Sequence, residues 1–158
     1  MSMRSILALS LLALAWSSLA LGDVTVESPW VREAPPHAEA LAAYMVLKNS
    51  NSTVEVLQKV TSPAFKQVEI HQTSIHNGTA SMEAQDSLSI PANGKVSLAP
   101  NGHHLMLIGA AHPLKVGDTV DLFLHFQGGK TVEVHAPVRK DAETTTTTKL
   151  SDEHHHAD

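Results

Sequence analysis

Two short stretches of the sequence each hold a histidine and a methionine at a spacing that places both side chains together. In "HHLMLI", Leu105 and Leu107 alternate as the buried face of a β-strand should. Residues two apart on a strand share a face, so His104 and Met106 lie together on the opposite, outward face. An outward face usually carries Lys, Thr or Glu. An imidazole beside a thioether therefore indicates a ligand-binding role for this exposed face.

The second stretch, "EIHQTSIHNGTASMEA", contains the strongest hairpin signal of the sequence at Asn77-Gly78. A two-residue type I′ turn needs positive φ at both central positions, which Asn-Gly tolerates. With this turn Thr73 faces Met82, and His71 becomes the diagonal neighbour of Met82 at about 7–8 Å. The stretch therefore predicts a second His–Met pair on one face of a hairpin, unless the loop has an odd number of residues.

The two pairs would form one metal site if the two stretches lie side by side in the fold. Two imidazole nitrogens and two thioether sulfurs are soft donors without charge, a set that favours copper in its lower oxidation state, Cu(I). Zinc sites usually use thiolate, imidazole and carboxylate ligands instead. The chain has no cysteine, 11 histidines and 5 methionines, so any sulfur ligand from it is a methionine. We thus predict a Cu(I) site that consists of His71, Met82, His104 and Met106.

Short runs of alternating or β-branched residues must position these side chains. The runs are "VTVE", "AAYMVLKN", "TVEVLQKV", "KQVEIHQ", "TASMEA", "KVSLA", "HHLMLIG", "TVDLFLHF" and "KTVEVHAPV". Turn-forming stretches such as "NSNS", "PANG", "APNG" and "QGG" separate them. Many short strands with Gly and Pro at the breaks predict an all-β sandwich or barrel in a single domain.

Both ends of the chain differ from the predicted domain. Residues 1–22 combine Arg4, an apolar run and small residues, which predicts a cleavable signal peptide and export rather than a membrane span. Residues 23–139 form the predicted domain, and residues 140–158 a polar tail that we expect to be disordered. The tail contains three consecutive histidines, His154, His155 and His156. Their imidazoles could bind Cu(II), and the alternative is that they have no function.

Composition and spacing exclude several classes of protein. The formal net charge is −5 and no basic patch is visible, so we expect no nucleic-acid binding. We find no nucleophile elbow, paired carboxylates or zinc-protease spacing, and therefore expect no enzyme activity. A blue-copper electron carrier needs a cysteine thiolate, which the chain lacks. A metallochaperone, a copper buffer and a β-sandwich adhesion or assembly module without metal remain as alternatives.

Several other histidines and one methionine have a structural explanation. Met45 in "AAYMVLKN" is expected in the core, together with Tyr44 and Leu47. His103 is ambiguous, because its parity matches that of Leu105 although it stands at the start of the strand. Surface positions are expected for His76, His112, His125 and His135.

The four candidate ligands also follow the signature of a known family. Ten residues separate His71 from Met82, twenty-one separate Met82 from His104, and one separates His104 from Met106. This spacing resembles that of the PCu(A)C family of periplasmic copper chaperones. The similarity extends over residues 24–139 through "SPWVREAPP", "AAYMVLKN", "EIHQT", "PANGKVSLAPNGHHLMLIGAAHPLKVGDTVDLFLHF" and "VEVHAPVR", in the family's order. His103 departs from the pattern, since the family often has an aromatic or aliphatic residue there, and the His-rich tail is an extension.

The resemblance implies a cupredoxin-like Greek-key β-sandwich that binds Cu(I) at an exposed end. The family's ligands fall on His71, Met82, His104 and Met106. It further implies a periplasmic location and delivery of copper to cytochrome c oxidase, at the dinuclear site of its second subunit. The partner would be that subunit or a thiol-containing copper chaperone. We expect a monomer without a membrane span in the mature chain.

Overall fold

The computed structural model describes residues 23–140, and all regular secondary structure in this range is β-strand. Ten strands follow one another: β1 (Val24–Arg32), β2 (Ala40–Asn49), β3 (Glu55–Thr61), β4 (Phe65–His76), β5 (Thr79–Gln85), β6 (Leu88–Ile90), β7 (Lys95–Leu98), β8 (His103–Ala110), β9 (Thr119–Phe126) and β10 (Thr131–Arg139). Nine of them coincide with the runs identified in the sequence. β6 is the exception, because a strand of three residues is too short to show a pattern.

The strands form two layers that share one continuous order of pairing. The first layer runs β5-β4-β8-β7-β2-β1, with β8 also pairing with β2, and the second runs β10-β9-β3-β6. The layers connect where the ends of β1 and β10 pair in parallel, through Val31 with Val138 and Arg32 with Arg139. A register shift between Glu27 and Trp30 in β1 precedes this connection. The predicted all-β sandwich is confirmed.

The core lies between the layers and follows from the alternation in the sequence. β9 is the clearest example, since its inward residues Val120, Leu122 and Leu124 are fully buried while the residues between them are partly exposed. In the first layer Leu105 and Leu107 of β8 are fully buried, as predicted. Burial of these side chains fixes the register of β8, because a shift by one residue would exchange its two faces.

The hairpin of β4 and β5 has the predicted turn and register. Asn77 and Gly78 adopt φ values of 50° and 77°, as a type I′ turn requires. His71 pairs with Ala84, and Thr73 pairs with Met82. The Asn-Gly turn thus places Met82 on the same face of the hairpin as His71.

The sequence also predicts a signal peptide, a disordered tail and the lack of a membrane span in the mature chain. The predicted signal peptide (residues 1–22) lies outside the described residues, and so do residues 141–158 of the predicted tail with its three histidines. Within residues 23–140, no helix has the length and apolar character needed to cross a membrane.

Candidate metal centre

The two candidate histidines face each other across adjacent strands. β4 and β8 pair in antiparallel fashion, with His71 directly opposite His104 and Glu69 opposite Met106. Directly opposite residues project from the same face of a sheet, and the two ring centroids are 5.8 Å apart. Two strands that are distant in the sequence therefore bring both imidazoles to one place.

The two candidate methionines lie on this same face of the first layer. Met106 is two residues beyond His104 on β8, and Met82 lies on β5 opposite Thr73 of β4. Met82, His104 and Met106 line one depression of about 270 Å³, and His71 adjoins His104 beside it. The other lining residues are Arg32, Ala40, Leu41, Ala42, Tyr44, Thr73, Ala80, Pro100 and Asn101. The structure thus brings all four predicted ligands to one region.

Hydrogen bonds engage one ring nitrogen of each histidine and leave the other without a partner among residues 23–140. The Nδ1 of His104 lies 3.1 Å from the carbonyl oxygen of Gly102 and donates to it, because a carbonyl can only accept. The Nε2 of His71 donates in the same way to Oε2 of Glu69 at 2.6 Å. In the neutral ring the remaining nitrogen then carries the lone pair. The donors available for a metal are therefore Nε2 of His104 and Nδ1 of His71, the latter buried and without a hydrogen-bond partner in the described part of the chain.

The exposure of the four side chains differs from the sequence prediction. The face was expected to be exposed, yet His71 and His104 retain only 9% and 5% of their accessible surface. The two rings are buried in part because they pack against each other across the strand pair. Met106 is half-buried, whereas Met82 retains 60% of its accessible surface. The prediction of exposure is wrong for the histidines and correct for Met82.

Tyr44 lines the depression and packs against Trp30 of the neighbouring strand β1. The rings of Trp30 and Tyr44 are 4.8 Å apart, and the guanidinium carbon of Arg32 lies 5.8 Å from the centre of the Tyr44 ring. Burial raises the pKa of the Tyr44 phenol above its ordinary value of 10.0, and the charge of Arg32 partly offsets this. The phenol is therefore neutral near pH 7. Tyr44 was expected in the core beside Met45; it is buried, but it lines the depression instead.

Sequence reasoning missed the groups that hold the two histidines. Glu69 and Gly102 each stand two residues before the histidine that they contact. For Glu69 a signal existed, because residues two apart on a strand share a face. His103 is partly buried, and its Nδ1 has no hydrogen-bond partner in the range 23–140.

The other histidines follow the prediction with one difference. Exposed positions are confirmed for His76, His112 and His135. His125 is half-buried rather than solvated, because threonines on the two neighbouring strands hydrogen-bond to its ring nitrogens. Within residues 23–140, no group of three or more His, Asp and Glu side chains converges as a metal site would require.

The sequence is similar to a described protein family and to a named relative. The family model described as "Putative lipoprotein LpqE-like" matches residues 24–138. The "Putative lipoprotein Lxx21020" of Leifsonia xyli subsp. xyli (strain CTCB07) is 35% identical over 117 residues, which cover 73% of this chain and 69% of the relative.

Two solved structures with the same fold contain copper. The copper-bound PCuAC domain from PmoF2 is 25% identical, with a TM-score of 0.65, and the match covers 77% of this chain and 97% of the domain. The Cu(I) form of DR1885 from Deinococcus radiodurans is 35% identical, with a TM-score of 0.64 and coverages of 80% and 85%. The fold of the chain is thus the expected cupredoxin-like β-sandwich.

Proposed function

We propose that the chain, which belongs to the LpqE-like family, is an exported metallochaperone whose cargo is Cu(I). In this proposal the ligands are His71, Met82, His104 and Met106. The observation that carries it is the pair of buried, facing imidazoles, each with one nitrogen held by the protein and the other left for a ligand. A buried Nδ1 without a partner costs free energy, which a bound metal would recover.

The donor set supports Cu(I) in preference to harder ions. The four proposed ligands are neutral, and thioether sulfur favours Cu(I) over Zn(II) or Cu(II). The neutral Tyr44 phenol adds no anionic oxygen to the depression. Relatives whose names state that they hold copper share the fold, one of them with Cu(I). We infer no catalytic turnover, since binding and release of the ion account for these features.

The uneven exposure of the proposed ligands supports a hand-over to an acceptor. An incoming thiolate or imidazole meets Met82 first, because Met82 is largely exposed while both histidines are buried. Replacement of ligands one at a time avoids release of the free ion, and a thiolate holds Cu(I) more strongly than a neutral thioether does. We propose as acceptor the dinuclear copper site of the second subunit of cytochrome c oxidase, reached directly or through a thiol-containing chaperone. The alternative is a periplasmic buffer without a dedicated acceptor.

The proposed cellular setting rests on sequence regions at both ends. A signal peptide over residues 1–22 would export the chain to the periplasm, leaving residues 23–139 as a monomeric domain. The lipoprotein descriptions of the relatives agree with a place in the cell envelope. For the tail we propose Cu(II) binding through His154, His155 and His156.

Competitive titration with a chromophoric chelator tests the site. We expect the protein without its signal peptide to bind one Cu(I) per chain, and each single ligand variant to bind it more weakly. Full affinity in a Met82→Leu or His104→Ala variant would remove that residue from the ligand set. No stoichiometric Cu(I) binding by the parent would overturn the proposed function.

A transfer experiment separates the chaperone from the buffer. The Cu(I)-loaded protein is mixed with a reduced dithiol acceptor, such as the soluble copper-binding domain of the oxidase subunit, and the metal is followed by column separation or NMR. We expect transfer faster than spontaneous release to a weak chelator, since exchange inside a complex does not free the ion. Movement only at the rate of spontaneous release would favour the buffer.

Truncation tests the tail independently of the domain. A chain that ends at Arg139 is expected to keep one Cu(I) and to take up less Cu(II), because it lacks the three clustered imidazoles. Electron paramagnetic resonance during Cu(II) titration measures the difference. An unchanged signal would assign Cu(II) binding to the domain.

A further inference from the structure

One side chain beside the proposed copper site is held at both ends of its carboxylate. Glu69 accepts a hydrogen bond at Oε1 from Nε2 of Gln67, at 2.6 Å, and one at Oε2 from Nε2 of His71, also at 2.6 Å. Gln67, Glu69 and His71 are alternate residues of β4 and therefore lie on one face of that strand. The three side chains form a continuous chain of hydrogen bonds along the strand, from the amide of Gln67 through the carboxylate of Glu69 to the imidazole of His71.

This chain of hydrogen bonds determines which ring nitrogen of His71 is available to bind a metal. A carboxylate accepts hydrogen bonds, so the proton of the neutral ring stays on Nε2 and the lone pair stays on Nδ1. That Nδ1 is buried and has no hydrogen-bond partner among the residues that the structure describes. His104 has the opposite arrangement, with its proton on Nδ1 facing the carbonyl of Gly102. The two facing histidines thus offer different nitrogens, and a different neighbour sets each choice.

Glu69 is better placed to orient His71 than to bind a metal itself. Both of its oxygens are already engaged by donors of its own strand. In addition, Glu69 and the two histidines do not converge as a metal-binding group within residues 23–140. A carboxylate ligand would also add a hard, charged donor to a soft, neutral set.

We propose that Glu69, steadied by Gln67, is a positioning residue that fixes the tautomer and orientation of His71 and so presents Nδ1 for Cu(I). This inference rests on the proposed function for its metal, but its effect on the ring is independent of metal. Groups that orient a metal-bound histidine in this way typically account for 10–100-fold in metal affinity.

The test combines nitrogen NMR of the imidazoles with Cu(I) titration, at one fixed pH. In the metal-free parent, long-range proton–nitrogen spectra are expected to show His71 protonated on Nε2 and His104 protonated on Nδ1. Addition of Cu(I) should then shift Nδ1 of His71 and Nε2 of His104. In Glu69→Leu the His71 nitrogens should move toward averaged shifts, the Kd for Cu(I) should rise by about 10–100-fold, and the signals of His104 should stay unchanged.

Two further variants distinguish orientation from other effects. In Glu69→Gln the amide oxygen can still accept from Nε2 of His71, so this variant should recover most of the affinity and the single tautomer. A carboxylate that bound the metal directly would not be replaced in this way by a neutral amide. Glu83→Leu is the matched control, because Glu83 pairs with Gln72 on the other face of the hairpin and is exposed. It should leave both the spectra and the Kd unchanged.

The outcomes separate this inference from the proposed function. His71 protonated on Nδ1 in the metal-free parent, or parent-like Cu(I) affinity in Glu69→Leu, would overturn the positioning role while the copper site stands. Loss of affinity in Glu69→Leu without recovery in Glu69→Gln would also overturn it and favour a direct ligand. If the parent binds no Cu(I), the proposed function fails, and the spectra of the metal-free variants still decide whether Glu69 orients His71.

Discussion

Each layer of the sandwich carries two histidines on its outer face, but their surroundings differ. On the first layer, His71 and His104 are buried, and each has one ring nitrogen engaged and one that is unpartnered within residues 23–140. On the second layer, His125 is held at Nε2 by Thr61 at 2.9 Å and at Nδ1 by Thr131 at 3.1 Å. His135 is exposed, and its Nδ1 binds Asp121 at 2.7 Å.

This difference shows that histidine content alone does not identify a metal site. A ligand needs an accessible lone pair, and hydrogen bonds to both nitrogens leave none on His125. At His135 the neighbouring carboxylates favour the protonated ring, which is not a ligand. Among the described residues, thioethers lie beside histidines on the first layer only. Histidine therefore has two different roles in this fold: a proposed metal ligand on the first layer and a hydrogen-bonding surface residue on the second.

The largest expected effect comes from removing histidines of each layer in turn. His71→Ala or His104→Ala should weaken Cu(I) binding by more than about 100-fold, beyond what supporting residues contribute. His125→Ala and His135→Ala should leave the Kd unchanged. Chelator competition measures all four. Equal losses from both layers would mean that the free nitrogens of the first layer have no special role.

Methionines on the two faces of the first layer give the next contrast. Met106 is half-buried beside the depression, whereas Met45 of β2 retains 2% of its accessible surface in the core. Met106→Leu should weaken Cu(I) binding at least about tenfold, because leucine keeps the volume but has no sulfur donor, and should cost less than ~1.5 kcal/mol of stability. Met45→Leu should change stability by a similar amount and leave Cu(I) affinity unaltered. Parent-like affinity in Met106→Leu would remove this thioether from the ligand set.

Two glycines provide a smaller, matched comparison of the layers. Gly78 in the turn of β4 and β5 and Gly128 in the turn of β9 and β10 have φ values of 77° and 91°, with open space where a Cβ would lie. Alanine at either position should destabilise the fold by about 1 kcal/mol through backbone strain alone. Only Gly78→Ala should also weaken Cu(I) binding, since this turn sets the register of Met82. Denaturant unfolding and chelator titration measure the two effects, and weakened Cu(I) binding in Gly128→Ala would contradict the assignment.

The smallest expected effect concerns the titration of His135. Its hydrogen bond to Asp121 raises the pKa above the ordinary value of 6.5. The charged ring therefore stabilises the fold below about pH 6.5, and this contribution disappears as the pH rises through the folded-state pKa. NMR titration should place the pKa of His135 above 6.5, and Asp121→Asn should lower it. An unshifted pKa in the parent would show that the contact with Asp121 does not persist in solution.

The parts of the fold that local chemistry determines are predictable from the sequence. The turn at Asn77-Gly78 fixes the register of β4 and β5, so the relation of His71 to Met82 follows directly. The outward placement of Met106 follows from the burial of the leucines on either side of it. β6 is not predictable in this way, because three residues give no period to detect.

The arrangement between distant strands is where sequence reasoning ends. No local pattern states that β4 lies beside β8, so the facing of His71 and His104 could only be assumed from the resemblance. Their burial follows from that facing, and so does the error in expecting exposed imidazoles. Tyr44 is a different case, because it alternates with the core residues Met45 and Leu47 on β2 and therefore faces outward, which the sequence pattern alone could have shown. Pairing partners depend on the whole topology, whereas turns and alternation depend on neighbours in sequence.

The exposure of Met82 also determines how readily its sulfur is oxidised. A thioether with 60% of its surface open to solvent is accessible to peroxide, whereas Met45 in the core is shielded. Oxidation to the sulfoxide turns a soft, apolar sulfur into a polar group, and reductases can reverse it. Since Met82 lies on β5, whose residues are exposed from Thr79 to Ala84, the sandwich can tolerate this change without repacking its core. Among the methionines of residues 23–140, oxidation would thus begin at Met82, where a reductase can reverse it and the fold stays intact.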